Sequence, residues 1–280
     1  MSKRAISMLI PVLVMLVVWF IPAPEGLSSN AWHFMAIFLG VVVGLIIEPV
    51  PAALVGLVGV CLIAMMGIID PKPAESVKWA LSGFSNSIIW LIFAAFMFAM
   101  GYQKTGLGKR ISLVMIKYMG KSSLGLGYAV AFADLVLAPF MPSNTARGGG
   151  TIYPIAINIP IIFGSTPEHE PRKMGAYITW IAMTATCVTS SMFLTALAPN
   201  LLAVDLIAKG ANITIEWGAW AKVMVPLMLP LFLVTPLLVY WIYPPTQKSS
   251  PEAPAWATQE LQKMGKIYIF LVVVSFFPIF

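Results

Sequence analysis

Long apolar runs recur along the chain at residues 6–21, 32–47, 52–69, 84–102, 176–207 and 223–243, each closed by a short stretch rich in polar residues, glycine or proline, and a last run occupies 267–280. A helix needs about 20 predominantly apolar residues to cross a hydrocarbon core of about 30 Å, so the pattern predicts an all-α membrane protein crossing the bilayer repeatedly. The first run follows Lys3 and Arg4 and imitates a signal peptide. Further spans follow it and no small-residue cleavage site closes it, so it is expected to be a retained first helix.

Two segments break the pattern. Between "LGLGYAVAFADLVLA" and "IYPIAINIPIIF" stands the polar run "PFMPSNTARGGGTIYP", residues 139–154. The apolar arm after it, from about 151 to 163, is too short to cross. A re-entrant hairpin entering and leaving on one side therefore fits better than two crossings, although a solvent loop between two crossing helices stays open. The run at 176–207 is instead too long, and its middle, "TATCVTSSMFLTALAPN", clusters Thr189, Ser190, Ser191 and Thr195 ahead of Pro199 and Asn200. The helix is expected to break there, which membrane depth tolerates only where the backbone is buried in protein or lines a wet cavity.

The remaining polar segments are shorter. "GLGKRISLVMIKYMGK" places Leu107, Ile111, Met115 and Tyr118 on one helical face and Arg110, Lys117 and Lys121 on another, predicting a basic amphipathic helix along the inner membrane surface. Residues 244–266 read as the only substantial hydrophilic linker.

Composition sharpens the class. The chain is 59% hydrophobic and 10% charged, with a mean hydropathy of +0.89, outside the usage of soluble domains. Its net charge of +6 follows from basic inner loops rather than from nucleic-acid binding. With the N-terminus inside, Lys3, Arg4, Lys104, Lys109, Arg110, Lys117, Lys121, Arg172, Lys173, Lys248, Lys263 and Lys266 fall on the inner side, against Lys72, Lys78, Lys209 and Lys222 outside.

Several apparent signals read as structural. Cys61 and Cys187 lie in apolar runs without metal or redox spacing. "GYQKTGLGKR" lacks the first glycine and the final hydroxyl of a phosphate-binding loop. Glu168, His169 and Glu170 are explained by a helix start, with Thr166 as N-cap and Pro167 in the first turn. His33 beside Trp32 reads as interfacial. No nucleophile, base and acid share a plausible depth, so no enzyme is expected, and no cofactor.

The polar run at 139–154 carries the chemistry. A hairpin tip and a broken helix are the parts from which secondary transporters build a midplane site. Half-helix ends aim amides and a positive dipole into the cavity, so an anion is the natural occupant. Ser143, Asn144 and Thr145 can donate to a carboxylate, while Gly148, Gly149 and Gly150 let a ligand approach the backbone. Arg147 is costly at this depth and suits carboxylates by its fork geometry. Asp134, in the first arm, could relay protons or pair with Arg147.

"PSNTARGGGTIYPI" together with "TSSMFLTALAPN" resembles the divalent anion/sodium symporter (DASS) family, in the branch holding bacterial citrate/succinate and tartrate/succinate antiporters and plastid 2-oxoglutarate/malate translocators. The resemblance covers the whole chain in span order. It implies the N-terminal half of an inverted-repeat elevator transporter, a homodimer when full length. Ser143, Asn144 and Thr145, with Arg147, would bind substrate carboxylate, and Thr189, Ser190, Ser191, Pro199 and Asn200 would line the neighbouring ion position. A second hairpin tip, present in the family, is expected beyond Phe280.

Where sodium-dependent members have a glycine-rich stretch, this chain reads "VTSSMF". Sodium is therefore doubted, and Arg147 is expected to supply a fixed charge in its place.

The organisation expected is scaffold helices at 1–102, an arm helix at 103–123, a transport domain at 124–243, a cytoplasmic linker at 244–266 and the start of a second repeat at 267–280. The function expected is secondary active transport, in the inner membrane and bounded by its lipid, of di- or tricarboxylates such as succinate, citrate, tartrate, malate or 2-oxoglutarate, by exchange. A sodium-coupled dicarboxylate symporter is the nearest alternative, and a non-transporting membrane scaffold the alternative from another class.

Overall fold

A computed structural model describes residues 3–265; the run at 267–280, Lys266 and the expected second repeat lie outside the described residues. The described chain is helical in two compact units, Met1–Ser87 and Ile88–Phe280.

The first unit holds α1 (Lys3–Phe20), α2 (Ser29–Ile47), α3 (Ala52–Met65) and α4 (Pro73–Leu81). Ser28 caps α2 by accepting the Ala31 amide, and the Trp32 indole donates to Val18 O and Ile21 O at the free end of α1. Those bonds fix the α1–α2 turn, and the Trp19 ring stacks on His33 at 3.9 Å. Glycine lets the helices approach: a methyl group on Gly40 would lie 2.9 Å from Met15 Cβ.

The apolar run at 52–69 ends as a helix at Met65, because Gly67 turns the chain with φ +61°. Helix α4 was not foreseen. It is too short and polar to show as a span, and its start is set by Pro73 in the first turn and by Ser76 Oγ donating to Asp70 O.

The second unit contains α5 (Ser87–Thr105), α6 (Leu107–Met119) and α7 (Ser123–Leu137), then α8 (Tyr153–Ala156), α9 (Asn158–Ile162), α10 (Gly175–Met192), α11 (Ala198–Ala211), α12 (Trp217–Ile242) and α13 (Glu252–Lys263). Its core is where α7, α10 and α12 meet, around Leu126, Ala133, Tyr177, Ile181, Phe232 and Val239. A side chain on Gly127 would collide with the Tyr177 ring, so glycine there sets how closely α7 and α10 pack. Helix α12 carries Pro226, Pro230 and Pro236. Tyr128 and Tyr177 donate to Leu233 O and Pro236 O near the last of these, tying α7 and α10 to the α12 backbone.

Among the described residues, Ser29–Ile47, Ser87–Thr105, Ser123–Phe140 and Trp217–Ile242 are long and apolar enough to cross a membrane.

Three expectations are corrected. The helix expected from Thr166 starts at Gly175. Thr166 Oγ1 accepts the His169 amide in a bend, and Ser165 Oγ takes the free amides of Met174 and Gly175, so a serine after the hairpin does the capping. In α6 the buried stripe is Gly108, Ser112, Leu113 and Ile116, while Tyr118, expected on the apolar face, is exposed. The stripe follows the neighbours α7 and α13 rather than a lipid surface.

The described part of the expected linker, residues 244–265, folds. Ser250 Oγ donates to Gly120 O, Ser250 N to Lys121 O and Ser123 N to Lys248 O, and Ser123 Oγ bonds Gln247 O. These contacts seat α13 on α6, with Ala253 and Ala257 fully buried and Lys109 Nζ 3.3 Å from Glu260 Oε2.

Candidate functional site

The polar run is not a loop. Only residues 141–143 turn the chain; Asn144 is already helical and Thr145–Ile152 form a π-helix that continues into α8 and α9, so the second arm of the hairpin begins within the polar run. Ser143 caps this arm. Its Oγ accepts the Ala146 amide at 3.2 Å and its carbonyl accepts the Arg147 amide at 2.9 Å.

Asn144, Thr145, Gly148 and Gly149 line a cavity of about 230 Å³, closed on the other side by Tyr153 and by Ala182, Met183 and Thr186 of α10. That is smaller than the roughly 300–1,000 Å³ typical of pockets for drug-sized ligands, and it suits a small metabolite. Gly149 faces open space, whereas Gly150 lies beside Gln103, whose Nε2 donates to Ala146 O.

Arg147 was expected at the carboxylate, and here the structure corrects the reading. Its side chain is fully buried behind the cavity. Nε bonds Asp134 Oδ1 at 3.0 Å, and Nη1 donates to Met141 O at 3.0 Å and Ala196 O at 3.1 Å. Nη2 lies 3.0 Å from Ser190 Oγ, 3.2 Å from Thr189 Oγ1 and 3.3 Å from Thr186 Oγ1. A guanidinium has five donors and cannot shed its charge. Out of water each donor must find an oxygen, and the first arm, the turn, α10 and the break together supply them.

Asp134 accordingly pairs with Arg147. It also accepts from Thr186 Oγ1 at 3.1 Å and from Thr189 Oγ1.

The expected break lies at residues 193–197, between α10 and α11, with a 3₁₀ turn at Leu194–Ala196. It falls just before Pro199, which occupies the first turn of α11. Its carbonyls are occupied from within the chain. Asn200 Nδ2 donates to Ser190 O at 2.8 Å and Phe193 O at 3.3 Å, Trp220 Nε1 to Ser191 O at 3.1 Å, and Arg147 to Ala196 O. The break is tied to the hairpin through Thr195 Oγ1 to Pro139 O and Ala198 N to Pro142 O.

Of the expected ion-site residues, Thr189 and Ser190 therefore face Arg147, Asn200 closes the end of α10, and Pro199 is exposed. Tyr153, Ala182, Met183 and Thr186 were missed as cavity walls. The signal was present, since Ala182, Thr186, Thr189 and Ser190 recur at the spacing of a single helical face.

A family model described as the sodium:sulfate symporter transmembrane region matches residues 2–274. L-tartrate/succinate antiporters of Escherichia coli strain UTI89 and of Shigella sonnei strain Ss046 are each 49% identical over 272 residues, 92% of this chain and 56% of theirs. That of Escherichia coli K12 is 48% identical with the same coverage. The chain thus spans about half the length of the curated relatives it matches.

Proposed function

The chain belongs to the sodium:sulfate symporter transmembrane family, and on that footing we propose that it serves secondary transport of small di- or tricarboxylates across the inner membrane, by exchange, with the tip cavity as a carboxylate site. The observation that carries this is the cavity itself: Asn144 and Thr145 at the open end of a helical arm, glycine on the floor and a buried cation behind the wall. Ser143 lies outside the cavity's lining and serves the site by capping the arm at Ala146. The relatives are tartrate/succinate antiporters, which agrees with four-carbon dicarboxylates as cargo.

The sodium-free part of the reading rests on the cage around Arg147. Carbonyl, hydroxyl and carboxylate oxygens converge on the guanidinium, the ligand set that a hard cation takes. The Arg147 guanidinium fills that cage and stays with the protein, so no exchangeable ion is needed to hold the arms and the break together, even though Asp134 balances its charge. The hairpin is read as re-entrant, the N-terminus as cytoplasmic and the whole transporter as an elevator-type homodimer.

The test is uptake of labelled succinate or tartrate by full-length protein in proteoliposomes. Uptake that requires an internal dicarboxylate supports exchange. Uptake into empty vesicles driven by sodium overturns it in favour of symport, and no transport under either condition leaves the scaffold reading.

A further inference from the structure

We propose that Thr186 is a further substrate contact, whose hydroxyl turns from the buried Asp134 carboxylate to a substrate carboxylate in the tip cavity; this rests on the carboxylate-site reading above. Among the described residues, Thr186 is the side chain that both lines the cavity and bonds the buried Asp134–Arg147 pair. It stands where a charge sealed from water meets the space open to a ligand.

The hydroxyl has one proton and two lone pairs. At present it donates to Asp134 Oδ1 at 3.1 Å and accepts from Arg147 Nη2 at 3.3 Å. If the proton turns outward, Asp134 keeps the Arg147 Nε and Thr189 Oγ1 donors, so no buried acceptor is orphaned. The guanidinium bond to the oxygen stays in place and polarises the O–H, making it a better donor to an anion.

Turning the proton rotates only the Cβ–Oγ1 bond, so Oγ1 keeps its place and its bond from Arg147. The reach is also right. A Cβ placed on Gly148 would lie 3.3 Å from Thr186 Oγ1. Both residues line the cavity, so a substrate oxygen seated against Gly148 has the Thr186 hydroxyl beside it.

The variants Thr186→Val, Thr186→Cys and Thr186→Ser in the full-length protein test this, assayed for succinate exchange in proteoliposomes with melting temperatures measured alongside. Loss of one such hydrogen bond corresponds to about tenfold in affinity. Thr186→Val is expected to raise KM about tenfold with Vmax within about twofold. Thr186→Ser should restore the wild-type KM, and Thr186→Cys, a weak donor, should fall between.

A wild-type KM for Thr186→Val overturns the inference, as does a Thr186→Ser variant as impaired as Thr186→Val, which marks a packing role. If Thr186→Val melts too early to assay, a wild-type KM for Thr186→Cys overturns it equally. Wild-type protein that exchanges no dicarboxylate removes the carboxylate-site reading itself, an outcome distinct from all of these.

Discussion

Arg147 Nε lies 3.0 Å from Asp134 Oδ1 with both side chains closed to solvent, so the charge nearest the tip cavity is spent on the protein. Removing one member of such a pair leaves the other buried and unmatched. Arg147→Ala or Asp134→Ala is expected to lose about 3–5 kcal/mol of stability. The pair Asp134→Leu with Arg147→Met should lose less than the sum of the single changes, because no orphan charge remains. Thermal melting of purified protein in detergent measures both.

The break between α10 and α11 depends on side chains that cover its carbonyls. Asn200→Ala takes the side-chain donor from Ser190 O and leaves Phe193 O with the Ala196 amide, which should cost about 1–3 kcal/mol. Hydrogen exchange should rise at residues 193–197 before it rises elsewhere in α10.

Two glycines should separate packing from binding. A methyl group on Gly108 would collide with Thr151 of the π-helix, whereas one on Gly149 meets nothing within 4 Å. Gly108→Ala is expected to destabilise by about 1–3 kcal/mol by overpacking. Gly149→Ala should melt like the wild type while narrowing the cavity and weakening dicarboxylate affinity, read from a melt and a binding titration on each variant.

The α13 clasp should respond to acid. The Glu260 carboxyl is held below its ordinary range by hydrogen bonds from Lys263 first and Lys109 next. Since the folded carboxyl titrates lower than the unfolded one, its contribution is in force above the ordinary carboxylate range and is lost as pH falls through the lowered folded value. Lys109 and Lys263 are exposed enough for solvent to screen the effect, which should be small and weaken in salt. Hydrogen exchange in α13 should therefore quicken at acidic pH, and Glu260→Gln should flatten that dependence.

The sequence made the apolar helices, the polar turn between two helical arms and the broken helix legible because long apolar runs and their interruptions report burial directly, although the helices Ile6–Phe20 and Ala52–Met65 prove shorter than their apolar runs suggested. It also joined Asp134 to Arg147 as one option, since two opposite charges at similar depth have few other partners. It did not reveal the π-helix, because Gly148, Gly149 and Gly150 among polar neighbours look like a turn in one dimension. The clasp stayed hidden for a related reason: Ala253 and Ala257 make a small buried face that a hydrophilic average conceals. Thr186 was overlooked one turn before the hydroxyls that drew notice, because its role comes from facing Gly148 across the fold.

On the proposed reading the Arg147 guanidinium stands where a bound cation would, so that carboxylate binding needs no sodium. The most direct measurement is equilibrium binding of succinate to the purified full-length protein in sodium chloride and in choline chloride at equal ionic strength. The same Kd is expected in both. Binding that appears only in sodium would contradict it.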